Sequence, residues 1–137
     1  TSFKVELLKG VHDFTATTGD TFKIALYDSD ATLGASTTAF STSEEITNTS
    51  GTAYTSGGAT LTSVTPVASS TTAVCDFADV SYTSASFTAN GALIYNSSDS
   101  NAAVFAIAFG SDKTATNGTF TIQFPTADAT NAIIRLA

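Results

Sequence analysis

The sequence predicts an all-β protein, a single-domain antiparallel β-sandwich of jelly-roll or immunoglobulin-like type with about eight strands. Three observations carry this expectation. Apolar residues recur with period two along most of the chain, the spacing that lines them up on one face of a strand. Clusters of turn-forming residues separate these runs at short intervals. No segment sustains the apolar period of a long helix, and β-branched Thr, which suits strands, is abundant. The 137 residues suit one domain over 1–137. A chain of that size buries enough surface to fold without disulfides. Cys75 is the single cysteine, so no intrachain disulfide is expected.

Taken in order, FKVELLKG (3–10) favours a strand with Phe3, Val5 and Leu7 inward, because no capping pattern announces a helix. Residues 1–10 are also a candidate N-terminal arm. In FKIALY (22–27), Phe22, Ile24 and Leu26 share one face and Lys23, Ala25 and Tyr27 the other. STTAFSTSEEI (36–46) suits a short helical turn, and 41–58 reads as a polar loop. GATLTSVTPV (58–67) alternates until Pro66, which has no N–H to donate and marks an edge or an exit. TAVCDFADVSY (72–82) reads as one bent strand or two short ones.

SFTANGALIYN (86–96) alternates Phe87, Ala89, Gly91, Leu93 and Tyr95; Gly91 predicts a bulge or a close backbone approach. AVFAIAF (103–109) sets Phe105, Ile107 and Phe109 on one face and Val104, Ala106 and Ala108 on the other. Apolar on both sides, it has the pattern of a central strand. Joined by a short polar loop, these two strands are expected to form a hairpin at the hydrophobic centre, with Leu93, Tyr95, Phe105, Ile107 and Phe109 as core. TFTIQF (119–124) turns Phe120, Ile122 and Phe124 inward, and AIIRLA (132–137) closes the chain as a terminal strand. Turns are expected at TTGD (17–20), TSGG (55–58), NSSDSN (96–101) and SDKTATNG (111–118).

The formal net charge is −7. Five basic residues spread along the chain make no basic patch, which excludes nucleic acid and an anionic membrane surface as expected partners. The first residues lack the apolar core of a signal peptide, and no run has the length of a membrane-spanning helix. Charged residues make up 12% of the chain, about half the usual share. A sparsely charged Thr/Ser surface suits a protein packed against neighbours.

Candidate chemistry is thin. His12, the single histidine, stands beside Asp13 with no nucleophile placed by any motif, and reads as a polar turn residue. Cys75 alternates with Ala73 and Phe77 and reads as a small buried hydrophobe. One His and one Cys are too few for a structural zinc site. Asp28 and Asp30 form a D-x-D in a turn, and Asp99, Asp112 and Asp128 fall in other expected loops. The spacing lacks the EF-hand pattern, so turn capping is the preferred reading over calcium. Motifs of the GxSxG, GxxxxGK[ST], GxGxxG and HExxH kinds are absent, and no carboxylate pair stands out for glycoside hydrolysis. There is no Trp to stack on a sugar; Tyr27, Tyr54 and Tyr82 offer a platform but fit strand packing equally. Glycosylation patterns begin at Asn48, Asn96 and Asn117, at a frequency so Thr/Ser-rich a chain shows by chance. No catalysis, cofactor or metal is expected.

A sandwich has edge strands, which isolated proteins blunt with Lys, Pro or bulges. With few charges available here, a homo-oligomer or a protein bound to a larger lattice is expected.

Four segments, GDTFKIALYDSDATLGASTTAF (19–40), AYTSGGATLTSVTP (53–66), FADVSYTSASFTANGALIYNSS (77–98) and FGSDKTATNGTFTIQFPTADATNAIIRLA (109–137), together resemble a family of small structural proteins of tailed phages, frequent in marine phages and cyanophages. GDTFKIALY, YTSGG, GALIYN and TIQFPTADA carry the resemblance; Cys75 and Asp76 before FADV depart from it. The resemblance implies a virion component without enzymatic activity, assembled in the host cytoplasm, and foremost a capsid decoration (cement) protein. It implies the major capsid protein, further copies of the chain, or both as partners. A tail or neck component (tube, adaptor or fibre-associated) is the alternative, and a glycan-binding adsorption module is the alternative of another class. On the favoured reading the arm, with Phe3, Lys4 and Lys9, reaches a neighbour.

Overall fold

A computed structural model describes residues 2–47 and 51–137. Its elements are α1 (Ser2–Leu8), β1 (Phe22–Tyr27), β2 (Ala59–Thr60), β3 (Ser63–Ser69), β4 (Thr72–Phe77), β5 (Val80–Asn96), β6 (Ala102–Ile122) and β7 (Ile134–Leu136). One antiparallel sheet has the order β2-β1-β5-β6, and a second has the order β3-β4-β7. The two sheets pack against each other, so the chain is an all-β sandwich, with seven strands among the described residues.

Two apolar clusters explain why the larger sheet tolerates so little alternation. Between the sheets, Phe14 stacks on Phe22 with ring centres 4.4 Å apart, and Phe22 meets Phe77 at 5.5 Å. Ile24, Leu26, Phe87, Ala92 and Ile94 complete this core. On the outer side of the same sheet, Ala25, Tyr27, Leu93, Tyr95 and Ala103 are buried under Ala31, Leu33 and Phe40 from the connection after β1. Phe40 stacks on Tyr95 at 4.6 Å. β1 and the end of β5 are thus covered on both faces. Each large apolar side chain buried there contributes roughly 1.5–3 kcal/mol.

The hairpin expected at 86–109 is present as β5 and β6, joined by the polar turn after Asn96. TAVCDFADVSY divides into β4 and the start of β5. Pro66 sits in β3, an edge strand, between Val64 and Val67 where the register shifts. There its missing N–H leaves no ladder bond unmade.

Four expectations are corrected. FKVELLKG is a helix, since Phe3 and Leu7, four residues apart, both turn onto the core. Gly10 ends it at φ 71°, with Gly10 N–H donating to Leu7 and Val11 N–H to Glu6. STTAFSTSEEI holds no helical turn: Ala39 bridges to Ala102 and Glu45 to Tyr27, and the turn closed by Glu45 N–H to the Thr42 carbonyl has Glu44 at φ 59°, outside the helical range. SDKTATNG is no turn, and TFTI is no separate strand, because β6 runs unbroken to Ile122. Its turn-forming residues are absorbed as irregularities: residues 109–112 stand opposite Asn90 alone, and Gly110 and Asn117 take positive φ. Finally, AVFAIAF lies at the edge of its sheet and not at the centre. Ala106 and Ala108 are exposed, and Phe105, Ile107 and Phe109 are half-buried.

Candidate functional site

The lone histidine is buried, against its reading as a turn residue. His12 Nε2 lies 3.2 Å from Glu6 Oε2, and Nδ1 lies 3.2 Å from the side-chain nitrogen of Asn96. That amide also donates to Asp20 Oδ2 at 2.8 Å, while Asn96 Oδ1 accepts from Ser98 N–H at 2.9 Å. An amide nitrogen only donates, so Nδ1 is the acceptor and Nε2 carries the proton toward Glu6. Phe3, Phe14 and Phe22 surround the ring. The cluster ties α1, the 12–20 loop and the end of β5 together. Asn96 is fully buried, so its glycosylation pattern lies inside the fold; Asn117 is exposed, and Asn48 lies outside the described residues.

Glu45 forms a second polar hub. Its carboxylate accepts from Tyr54 Oη at 2.6 Å, Gly57 N–H at 2.6 Å and Ser56 Oγ at 2.8 Å. Tyr54 Oη in turn accepts from Leu26 N–H, and Tyr95 Oη donates to the Gly57 carbonyl. These bonds staple the loop before β2 onto β1. Tyr27, Tyr54 and Tyr82 are all buried and present no exposed ring face for a sugar. Burial pushes the Tyr27 and Tyr82 hydroxyls up to about 12, and burial with the Glu45 hydrogen bond raises Tyr54 further.

Asp28, Asp30 and Glu44 bring carboxylate oxygens within 4.8 Å of one another, all three exposed. Asp28 Oδ1 accepts from Asp30 N–H at 2.9 Å, the turn cap expected of this D-x-D. Asp128 caps likewise, accepting from Thr130 and Asn131, whereas Asp112 lies on β6 and accepts from Asn90. Cys75 is buried as expected, and burial holds its thiol up at about 12, far from the thiolate range a nucleophile needs.

The feature with reach toward a partner is β6. Thr38–Phe40 pair with its start, through Ala103 N–H to Thr38 and Phe40 N–H to Asn101, both at 2.9 Å. Beyond that, no strand among the described residues pairs with the outer edge of β6 as far as Ile122. The charged residues on β6 are the adjacent Asp112 and Lys113. Phe105, Ile107, Phe109, Phe120, Phe124 and Ile133 line an open groove of about 750 Å³ on its inner side. A second groove, about 370 Å³, runs between α1 and residues 34–37 across Ala103–Ala106.

Of the arm residues, Phe3 is half-buried, its ring 5.3 Å from His12 and 6.4 Å from Phe14. Phe3 and Lys4 line the second groove beside β6. Lys9 is exposed where α1 ends. On α1, Leu8 is 90% exposed and Val5 49%. The open edge was missed from the sequence, because apolar residues on both faces of AVFAIAF imitate a covered strand.

No family model, no curated protein and no solved structure matches the chain.

Proposed function

We propose that this chain is a non-enzymatic virion structural protein, a capsid decoration (cement) protein that stabilises the head. The observation that carries the reading is the outer edge of β6, unpaired from Val104 to Ile122 among the described residues and flanked by a half-buried aromatic groove. Such an edge offers a neighbour a row of backbone donors and acceptors, and the groove offers apolar surface to bury. The sparse charge on β6 keeps electrostatic repulsion from the contact. The buried polar clusters around His12 and Glu45 are taken up in fastening α1 and the loops to the sheets. The major capsid protein and further copies of the chain are the partners, joined by backbone pairing and apolar burial with little help from ion pairs.

Quantitative mass spectrometry of purified virions tests this. A copy number in simple ratio to the major capsid protein, with a label covering the whole head, is expected. A few copies per particle moves the protein to the tail or neck, and absence from the particle overturns the reading.

A further inference from the structure

The open edge of β6 has a symmetry that names its partner. Val104 is an extra residue in the ladder: Ile94 pairs with Phe105 and Tyr95 with Ala103, so Val104 faces nothing on β5. At the other end Gly110 takes φ 78° within the irregular stretch 109–112 opposite Asn90. Between them Phe105–Ala108 pair regularly with β5, and Phe109 follows as the first residue of the irregular stretch. The outer edge of the whole segment, Phe105-Ala106-Ile107-Ala108-Phe109, is unpaired among the described residues. It reads the same in both directions and is centred on Ile107. Its three large residues turn to the groove between the sheets, and its two alanines are exposed on the other face.

We infer that two copies of the chain pair antiparallel through this segment, about a two-fold axis at Ile107. The inference rests on the assembly reading above and deepens it by making the partner a second copy. In this register Phe105 faces Phe109 of the other copy, Ala106 faces Ala108, and Ile107 faces its equivalent. Residues opposite each other in an antiparallel pair share a face, so large meets large over the groove and small meets small outside. An edge paired this way is closed on both copies at once, and the contact is finite. Charge argues for the same place. A chain of net charge −7 repels its copies, but residues 100–111 carry no charge at all. The joined sheets run continuously, β2-β1-β5-β6 into the reverse order of the partner copy, and pairing is bounded by the bonds of Thr38–Phe40 at one end and by the irregular backbone around Gly110 at the other.

The test is sedimentation velocity on the full chain and two double variants. Both alanines are exposed, so neither variant disturbs the core, and circular dichroism confirms the fold. Ala106→Lys with Ala108→Lys sets Lys against Lys twice across the axis. Ala106→Lys with Ala108→Glu sets Lys against Glu twice. The wild type is expected to be a dimer, the Lys/Lys variant to dissociate with a dimer constant about tenfold weaker, and the Lys/Glu variant to recover it. A monomeric wild type overturns the inference; so does a Lys/Lys variant as dimeric as wild type, or a Lys/Glu variant no better than Lys/Lys. A monomer that still enters virions sinks only this pairing. A register-dependent dimer missing from virions sinks only the virion reading.

Discussion

Asn96 and His12, 84 residues apart in sequence, meet at 3.2 Å, and the same Asn96 nitrogen donates to Asp20 at 2.8 Å. Asn96 is fully buried. Replacing it with Leu removes three hydrogen bonds and strands the buried His12 Nδ1, while Asp20 Oδ2 keeps the Asp13 N–H and Ser98 is exposed to water. A buried polar group left unpaired costs about 1–3 kcal/mol, so Asn96→Leu is expected to lose stability in that range in urea unfolding. A midpoint within error of wild type, with unchanged slope, refutes the structural role assigned to this cluster.

Gly91 lies against the neighbouring strand. A Cβ added there comes 2.8 Å from the Ile107 carbonyl oxygen, which belongs to backbone and does not swing aside. Gly91→Ala is therefore expected to destabilise by about 1–3 kcal/mol, the range for overpacking. Gly34→Ala, where a Cβ meets nothing within 4 Å, serves as the comparison and is expected to be near neutral.

Alkaline pH is expected to unfold the protein through its buried tyrosines and cysteine. Tyr27 and Tyr82 rise from 10.0 to about 12 on folding, and Cys75 from 9.0 to about 12. The folded state holds these protons more tightly than the unfolded chain. Their contribution is complete below pH 9 and fades from there toward pH 12 as the unfolded chain releases protons first. Phenolate absorbance followed against pH is expected to rise together with loss of structure; tyrosines titrating near their ordinary value in a folded chain contradict this.

Asp128 works in the opposite direction. The Asn131 side chain, with the Thr130 and Asn131 N–H groups, lowers its carboxyl below 3.8. The cap it forms is present above that value and is lost as pH falls through the lowered one. Asp128→Ala is expected to melt slightly lower than wild type at neutral pH and to converge on it as pH falls, which flattens the acid limb. An identical acid limb in both proteins rules the cap out.

The Cys75 thiol is expected to resist a thiol reagent in the native protein and to react at once when unfolded. Rapid native labelling contradicts its burial between the sheets.

The β5–β6 hairpin was legible because alternation and a short polar turn are both local. The strand nevertheless changes face at Gly91, with Phe87 and Ala89 between the sheets and Leu93 and Tyr95 on the outer side, against the single alternating series expected. The edge position of β3 was also legible, from Pro66, although the strand passes through Pro66 and runs on to Ser69. The helix α1 was misread because Phe3, Val5 and Leu7 fit period two as well as Phe3 and Leu7 fit a helical turn; Gly10, which ends the helix, was the signal that separates them. The continuation of β6 was hidden because Gly110, Asn117 and Gly118 are turn residues in most settings, and a bulge uses the same chemistry. The edge position of β6 and the His12–Asn96 contact depend on topology. Neighbouring residues do not encode which strand lies beside which, so composition suggested an open edge but not its place.

The pairing of β1 with β5 also sets an order of events during folding. β5 and β6 are joined by a five-residue turn, residues 97–101, and find each other locally, whereas β1 reaches β5 only across the whole of residues 28–79. Closing so long a loop is slow compared with hairpin formation. The newborn hairpin therefore passes through an interval with both flanks bare, and crowded chains meet at the wrong one. Refolding yield falls as protein concentration rises, and falls less when β1 is supplied early as a separate peptide.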